Sequence, residues 1–456
     1  MQLHLAMYPL LAMGHITPYL HLANKLAMEG HKISLFLPNK TQINLVSHNC
    51  HPDYITFIPI TIPHVDGLPP GAETTKDIPV SSMPKLLQAM DLTRDTIDAY
   101  LGNLKPDIVV LDTPEWLPGL ARKHGAKPIY FATLPLAMFA YCSLSARNLP
   151  QNHPITVDDF SSPPPGFPSP NIRLYPHEAK SIVGIFTRPI GNGMTFLQKL
   201  NIAIEQCDAI MFKSFREIEG IYCDFVEKSF NKPVLLVGPV IPEPQNSNLN
   251  DLFDSWLNGF SQGSVVYCAL GSECVLEKDQ FQELVLGLEL TGRPFLAALK
   301  PPKGYETIDS ALPQGFEERT KGRGMVYGGW VQQQLILQHP SVGCFVTHCG
   351  LGSLLEGLVS KCQLVFMPRA VDQFVNARVM SLELRVGVEV EKDDRDDGFV
   401  ARESIEKAVE LMMDEDSQLG GEVRGNHAHW RDFLLMEGLE KSYIDRLIAS
   451  LQELLC

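Results

Sequence analysis

Short, continuously apolar runs set the fold of this chain. LHLAMY, KISLFLP, DIVVLD, SVVYCAL, RPFLAALK, VGCFVT and LVFMP show little alternation of polar and apolar residues. A strand with one wet face alternates; a strand covered on both faces does not. Most runs are followed by residues at helical spacing. Residues 16–29, with Leu20, Leu22, Ala23, Leu26 and Ala27, follow the first run, and KDQFQELVLGLEL follows SVVYCAL. This pattern predicts parallel sheets flanked by helices. It occurs twice, separated by prolines and asparagines around 239–250. For 456 residues, about 150 per domain suggests two or three units. The reading is two similar α/β halves and a linker. Ligands of such sheets bind beyond the carboxyl ends of the strands, so the cleft between the halves is the expected site. Residues 150–170, with SSPPPGFPSP, read as a Pro-rich surface loop.

Composition removes some partners. A net charge of −15 argues against a nucleic-acid or anionic membrane surface. It still permits an anionic ligand at a helix N-terminus. Ten cysteines are scattered, with no CxxC, which reads as free thiols in a reducing compartment. The opening MQLHLAMYPLL has no basic leader and no cleavage site, and reads as a first strand. No apolar run reaches about 18 residues, so no membrane span is expected. The expectation is a cytoplasmic protein, with the sequon Asn39-Lys40-Thr41 fortuitous.

Two strand-to-helix corners carry chemistry. In FVTHCGLGSLLEGLVS, Gly350 and Gly352 remove side chains where a ligand must approach the backbone. The helix that follows offers free N–H groups and a positive dipole end, an anion site suited to phosphate. His348 and Ser353 add donors. Glu356 would repel phosphate but could accept from sugar hydroxyls. Two other readings stand beside this one. Ser353 and Glu356 also spell a capping box. Gly350-x-Gly352-x-x-Leu355, with Asp372 downstream, also mimics a dinucleotide fingerprint.

The N-terminal half repeats the device. Gly14 and His15 stand just before a helix, and Asp112 ends the strand DIVVLD on the same sheet edge. A histidine there is a candidate general base, and a carboxylate on its far nitrogen fixes the tautomer. The other reading of His15 is a histidine that satisfies a turn.

From Trp330 to Gln373 the chain reads WVQQQLILQHPSVGCFVTHCGLGSLLEGLVSKCQLVFMPRAVDQ. This resembles the signature box of plant secondary-metabolite UDP-glycosyltransferases, glycosyltransferase family 1. The likeness extends over essentially the whole chain, including MGHITPYLHLA, GPVIPEP, LGSE and QFQELVLGLELTG. The resemblance implies a GT-B fold, with two Rossmann-like doubly wound parallel-sheet domains facing across a cleft. Residues 1–238 would form the acceptor-binding domain, 239–252 the linker and 253–432 the UDP-sugar domain. Residues 433–456 would form a helix returning to the first domain. It also implies that Trp330 stacks on uracil, the Val331 backbone bonds the base and Gln333 bonds the ribose. His348, Ser353 and Ser272 would hold the pyrophosphate beside Gly350 and Gly352. Glu356 would accept from the ribose hydroxyls, and Asp372 and Gln373 would bond the donor sugar's hydroxyls. Thr133 would contact the donor. His15 would be the base and Asp112 its partner.

The chain departs from the family in three places. Gln332 replaces the usual Pro, Leu351-Gly352 the usual Trp-Asn, and Lys361-Cys362-Gln363 the common Gly-Val-Pro. At 352 only backbone remains to meet the donor. HCGLGS, with LTGRPFLAALKPPKG upstream, is similar to a subgroup that adds a sugar to a flavonoid or terpenoid glycoside. The expected reaction is inverting transfer from UDP-glucose by default, with UDP-xylose and UDP-rhamnose as other donors. No cofactor or metal is implied, and a monomer is expected. Asp414-Glu-Asp416 spells DxD but reads as a solvated helix end. DDRDDG at 393–398 resembles a calcium loop but reads as exposed. A nicotinamide-dependent oxidoreductase and a catalytically inactive binding protein are the rival functions.

Overall fold

The computed structural model describes residues 1–149, 153–190, 193–239, 248–271, 273–392 and 398–456. The first sheet comprises β1 (His4–Tyr8), β2 (Lys32–Pro38), β3 (Ile55–Ile60), β4 (Ile108–Leu111), β5 (Lys127–Ala132), β6 (Ala209–Phe212) and β7 (Val234–Leu236). The second comprises β8 (Val265–Ala269), β9 (Phe295–Ala298), β10 (Gly324–Tyr327), β11 (Val342–Thr347), β12 (Gln363–Phe366) and β13 (Gly387–Glu389). The spatial orders are 3-2-1-4-5-6-7 and 10-9-8-11-12-13, with parallel ladders throughout.

The apolar runs are buried as their composition requires: every residue of β4 and of β8 is buried. Separate clusters cover the two faces of each sheet. In both sheets the strand order reverses beside the first strand, between β1 and β4 and between β8 and β11. At such a switch point adjacent loops diverge and leave a crevice at the strand ends. His15 and Asp112 follow β1 and β4; Gly271 and His348 follow β8 and β11.

The helices used below are α1 (Met13–Met28), α2 (Leu117–Lys123), α3 (Pro176–Phe186), α4 (Phe196–Gln206), α5 (Leu351–Val359), α6 (Asp372–Arg378) and α7 (Leu439–Glu453). Helix α1 begins at Met13, so Gly14 and His15 lie in its first turn and not before it. The 150–170 stretch is also more structured than its prolines imply. Residues Val157–Ser161 are helical, and Phe160 is fully buried beneath the Arg147 guanidinium, 4.5 Å from its ring. A buried aromatic under a cation outweighs local breaker composition. Residues 150–152 lie outside the described residues, as do 240–247 of the linker.

The two halves are joined by more than the linker. Ile444, Leu447 and Leu451 of α7 enter the core of the first sheet, while Tyr443 and Leu439 pack with the second. Each such aliphatic contributes about 1.5–3 kcal/mol on burial. Across the seam, Glu178 of α3 is fully buried. It pairs with Arg378 of α6 at 2.8 Å and with Lys392. These cations hold the Glu178 carboxyl below its usual range despite burial. This cluster ties α6 to α3. No described helix is long and apolar enough to cross a membrane.

Candidate active site

On the first sheet, His15 Nδ1 lies 2.7 Å from Asp112 Oδ2. A carboxylate has no proton to give, so the shared proton resides on Nδ1 and Nε2 keeps its lone pair. Asp112 is buried and fixed from behind: its Oδ1 accepts from the Leu10 amide at 2.7 Å and the Thr113 hydroxyl at 2.8 Å. The His15 side chain is 27% exposed, so its free nitrogen can meet a substrate. Thr133, expected against a donor, lies against this ring, its hydroxyl 3.0 Å from Nδ1 and 3.5 Å from Nε2. His15 is therefore part of an ordered hydrogen-bonded pair, beyond what satisfying a turn would need.

On the second sheet, the turn after β11 is tight. Cys349 adopts φ 67°, and the Thr347 hydroxyl accepts its amide at 3.3 Å. His348 is partly buried, and its Nδ1 is a buried atom with no hydrogen-bond partner. Burial lowers its pKa to about 4 against the opposing pull of the Ala269 backbone. The ring is neutral near pH 7. A Cβ at Gly350 or at Gly271 would lie 2.6 Å from His348 Nε2. Gly350 is thus required by the histidine, a reason not visible in its sequence spacing. Gly352 meets the opposite condition: a Cβ there finds nothing within 4 Å.

The capping-box reading does not hold. Gly350, not Ser353, is the N-cap of α5, and no side chain caps it. Ser353 and Glu356 serve a different network. Gln333 Nε2 donates to Ser353 Oγ at 3.0 Å and to Glu356 Oε2 at 2.6 Å, and Tyr267 donates to Gln333 Oε1 at 3.2 Å. Gln334 donates to Glu356 Oε1 at 3.1 Å. Both N–H groups of Gln333 are engaged, so it orients Ser353 and Glu356 and has only its carbonyl oxygen left for a ribose. Trp330 is 76% exposed. The Val331 carbonyl accepts the Gln333 amide at 3.0 Å. Gln332, where the family resemblance has Pro, accepts the Asn250 amide at 2.7 Å and donates to the Asn248 carbonyl at 3.0 Å. The departure pins the end of the linker to the second half.

The loop after β12 supplies the remaining residues. Val371 is held at φ 43° and ψ −109°, a strained position for a β-branched residue. The next residue, Asp372, opens α6. Its burial raises the carboxyl pKa to about 6, opposed by the Asn376 amide at 3.0 Å. Asn376 also donates to the Cys349 carbonyl at 3.0 Å, binding this loop to the His348 turn. Gln373 Oε1 accepts the Arg369 and Ala370 amides at 2.9 and 3.0 Å. A ligand can meet Gln373 only through its NH2 group. Phe374 and Val375 of α6 pack into a core cluster of the first half, which brings the two sheet edges towards each other. Lys213, just beyond β6, has its pKa lowered to about 8 by burial, against the opposing pull of the Glu356 carboxylate. The arrangement therefore holds a base-oriented imidazole on one wall. The other wall carries a helix N-terminus, an orphaned imidazole nitrogen and fixed carboxylates.

Ser272 lies outside the described residues. Of the suspected metal motifs, Asp414 caps a helix C-terminus and accepts the Asp416 amide at 3.0 Å. Residues 393–397 of DDRDDG are outside the described residues. All ten cysteines are free thiols.

Comparison with known proteins decides the family. Residues 180–418 match the model described as UDP-glucoronosyl and UDP-glucosyl transferase. The chain belongs to the UDP-glycosyltransferase family. This glycosyltransferase is 52% identical over 453 residues to a cyanidin 3-O-galactoside 2''-O-xylosyltransferase of Actinidia chinensis var. chinensis, covering 99% of this chain and 98% of that protein. It is 49% identical over 452 residues to an anthocyanidin 3-O-glucoside 2''-O-glucosyltransferase of Ipomoea nil, again covering 99% and 98%. Among solved structures it resembles Arabidopsis thaliana UGT89C1 complexed with UDP-L-rhamnose, with TM-score 0.75, 21% identity and 99% of each chain covered. It also resembles Glycyrrhiza uralensis UGT73P12 complexed with glycyrrhetinic acid 3-O-monoglucuronide, with TM-score 0.77, 22% identity and coverage of 99% and 96%. These likenesses place the glycosyltransferase in the GT-B fold. The enzyme uses a UDP-sugar donor, and the oxidoreductase reading falls away.

Proposed function

We propose that this enzyme transfers a sugar from a UDP-sugar to a hydroxyl of the sugar already carried by a flavonoid or terpenoid glycoside. The observation that carries the reading is the His15–Asp112 pair at the strand ends of the first sheet, with the His15 side chain part-exposed. His15 Nε2 removes the acceptor proton as the hydroxyl oxygen attacks the anomeric carbon. UDP departs from the opposite face, and configuration inverts. Asp112 stabilises the imidazolium that forms. The diphosphate gains charge at the N-terminus of α5, near Ser353. A phosphate oxygen beside His348 Nδ1 gives that nitrogen a partner and favours its protonated form. Glu356 accepts from the ribose, Trp330 covers the uracil, and Asp372 and Gln373 address the donor sugar. Preorganised donors of this kind remove the need for a metal. The relatives' names support glucose or xylose as the donor sugar and a glycoside as acceptor. A cytoplasmic monomer completes the reading.

A donor-by-acceptor screen tests this. UDP-glucose, UDP-xylose and UDP-rhamnose are offered with flavonoid 3-O-glucosides and their aglycones. The expected product carries its new sugar on the first sugar, with inverted anomeric configuration. Conversion of aglycones alone would contradict the acceptor reading.

Two further outcomes are expected. Gly350→Ala pushes the His348 ring and weakens UDP binding by roughly tenfold or more by calorimetry, whereas Gly352→Ala stays within about twofold. Equal effects would remove His348 from the diphosphate site. The second concerns pH. The Asp372 carboxyl is raised by burial, so the folded enzyme takes up a proton as pH falls through about 6. The burial cost to stability is then relieved, but one acceptor for the donor sugar is lost. UDP-glucose affinity should fall by roughly tenfold across that window, and Asp372→Asn should flatten the dependence. An unchanged profile in the variant would assign the titration elsewhere.

A further inference from the structure

The loop that carries Asp112 continues through Glu115 and Trp116 before α2 begins. Neither residue takes part in the base or donor machinery. Trp116 is half-buried; its ring centroid lies 6.2 Å from that of Tyr8, and its indole N–H donates to Asp91 Oδ1 at 3.1 Å. Lys199 of α4, with its side chain 2% exposed, pairs with Asp91 and approaches Glu115 Oε2 at 3.1 Å. That approach makes no hydrogen bond: Glu115 Oε2 is a buried atom without a hydrogen-bond partner. Two carboxylates therefore share one ammonium, and Glu115, ion-paired but without a hydrogen bond, retains acceptor capacity. Buried acceptors are almost always satisfied, by protein, water or ligand.

Placement gives this capacity a use. Glu115 is the third residue after Asp112, so their Cα atoms are at most about 10 Å apart. A glycoside whose reacting hydroxyl lies at His15 spans that gap with its other hydroxyls. We propose that Glu115 and Trp116 hold the acceptor's own sugar, Glu115 accepting a hydroxyl and Trp116 packing against its C–H face. This rests on the glycoside-acceptor reading above. Lys199 and Asp91 are positioning residues: one fixes the carboxylate, the other the indole. A carboxylate beside an aromatic face suits a pyranose, which offers hydroxyl donors on its edge and an apolar surface on its flank. The site's net negative charge favours a neutral hexose or pentose and disfavours a uronic acid.

The test uses the full chain, a flavonoid 3-O-glucoside, and analogues lacking one glucose hydroxyl each. In the parent enzyme one deoxy acceptor loses roughly tenfold in kcat/KM. Glu115→Gln is expected to raise the KM for the intact glucoside by a similar factor and to treat that deoxy acceptor and its parent alike. The KM for UDP-glucose does not move, and the thermal midpoint monitors folding. Trp116→Phe, a second variant, raises the acceptor KM without erasing the hydroxyl discrimination. If Glu115→Gln keeps both the glucoside KM and the discrimination, the sugar pocket is overturned while the glycoside reading stands. If the parent enzyme glycosylates aglycones and no glycoside, both fall.

Discussion

His15→Ala should lower kcat by roughly 10²–10⁴-fold and leave UDP affinity within about twofold. General-base assistance operates only while the acceptor hydroxyl attacks, so its loss appears in turnover and not in donor binding. The split between kcat and UDP affinity distinguishes a base from a structural histidine. A histidine that merely satisfied a turn would cost stability in both assays. Asp112→Asn should follow with a similar sign. The amide can donate to Nδ1, so the proton moves to Nε2 and removes the lone pair that must receive the acceptor proton. The Leu10 amide and Thr113 hydroxyl that fix Asp112 stay in place, so the fold should hold. Weakened UDP binding with turnover retained would refute both assignments.

Glu356→Ala should act on the opposite step. A hydrogen bond to a charged group contributes about 1.5–3 kcal/mol, and a ribose diol offers two hydroxyls to this carboxylate. UDP affinity should fall by roughly 10- to 150-fold, with little change in kcat at saturating donor. The substitution also releases Gln333 and Gln334, which hold the carboxylate from behind. Glu356→Gln separates these effects, since it keeps the packing and loses the charge. Uracil alone, which has no ribose, should bind both variants as it binds the parent.

The two sheets were legible because a parallel strand buried on both faces writes itself as an uninterrupted apolar run. VGCFVT is β11 from end to end, and KDQFQELVLGLEL is a helix from end to end. His15 and Asp112 were legible for a related reason. Each follows a strand of the same sheet, and a switch point brings such corners together. What escaped the sequence depends on contacts between residues far apart in the chain. Gln333 looks free to bond a ribose through either end until Ser353 and Glu356 are seen to take both of its N–H groups, leaving only the oxygen. Gln332 looks like a lost proline until Asn248 and Asn250 are seen beneath it. Gly350 looks like a ligand-clearing glycine until the His348 ring occupies the space its Cβ would need. Asn376, which ties the Asp372 loop to the Cys349 turn, carries no local signal at all. In each case the deciding term is a side-chain contact that no spacing rule encodes.

The most direct test is a crystal soaked with UDP-glucose and an unreactive glycoside analogue. The diphosphate should lie against the first amides of α5 beside His348, with the acceptor hydroxyl within hydrogen-bond reach of His15 Nε2. A nucleotide bound on another surface, or an acceptor hydroxyl directed away from His15, would contradict the account.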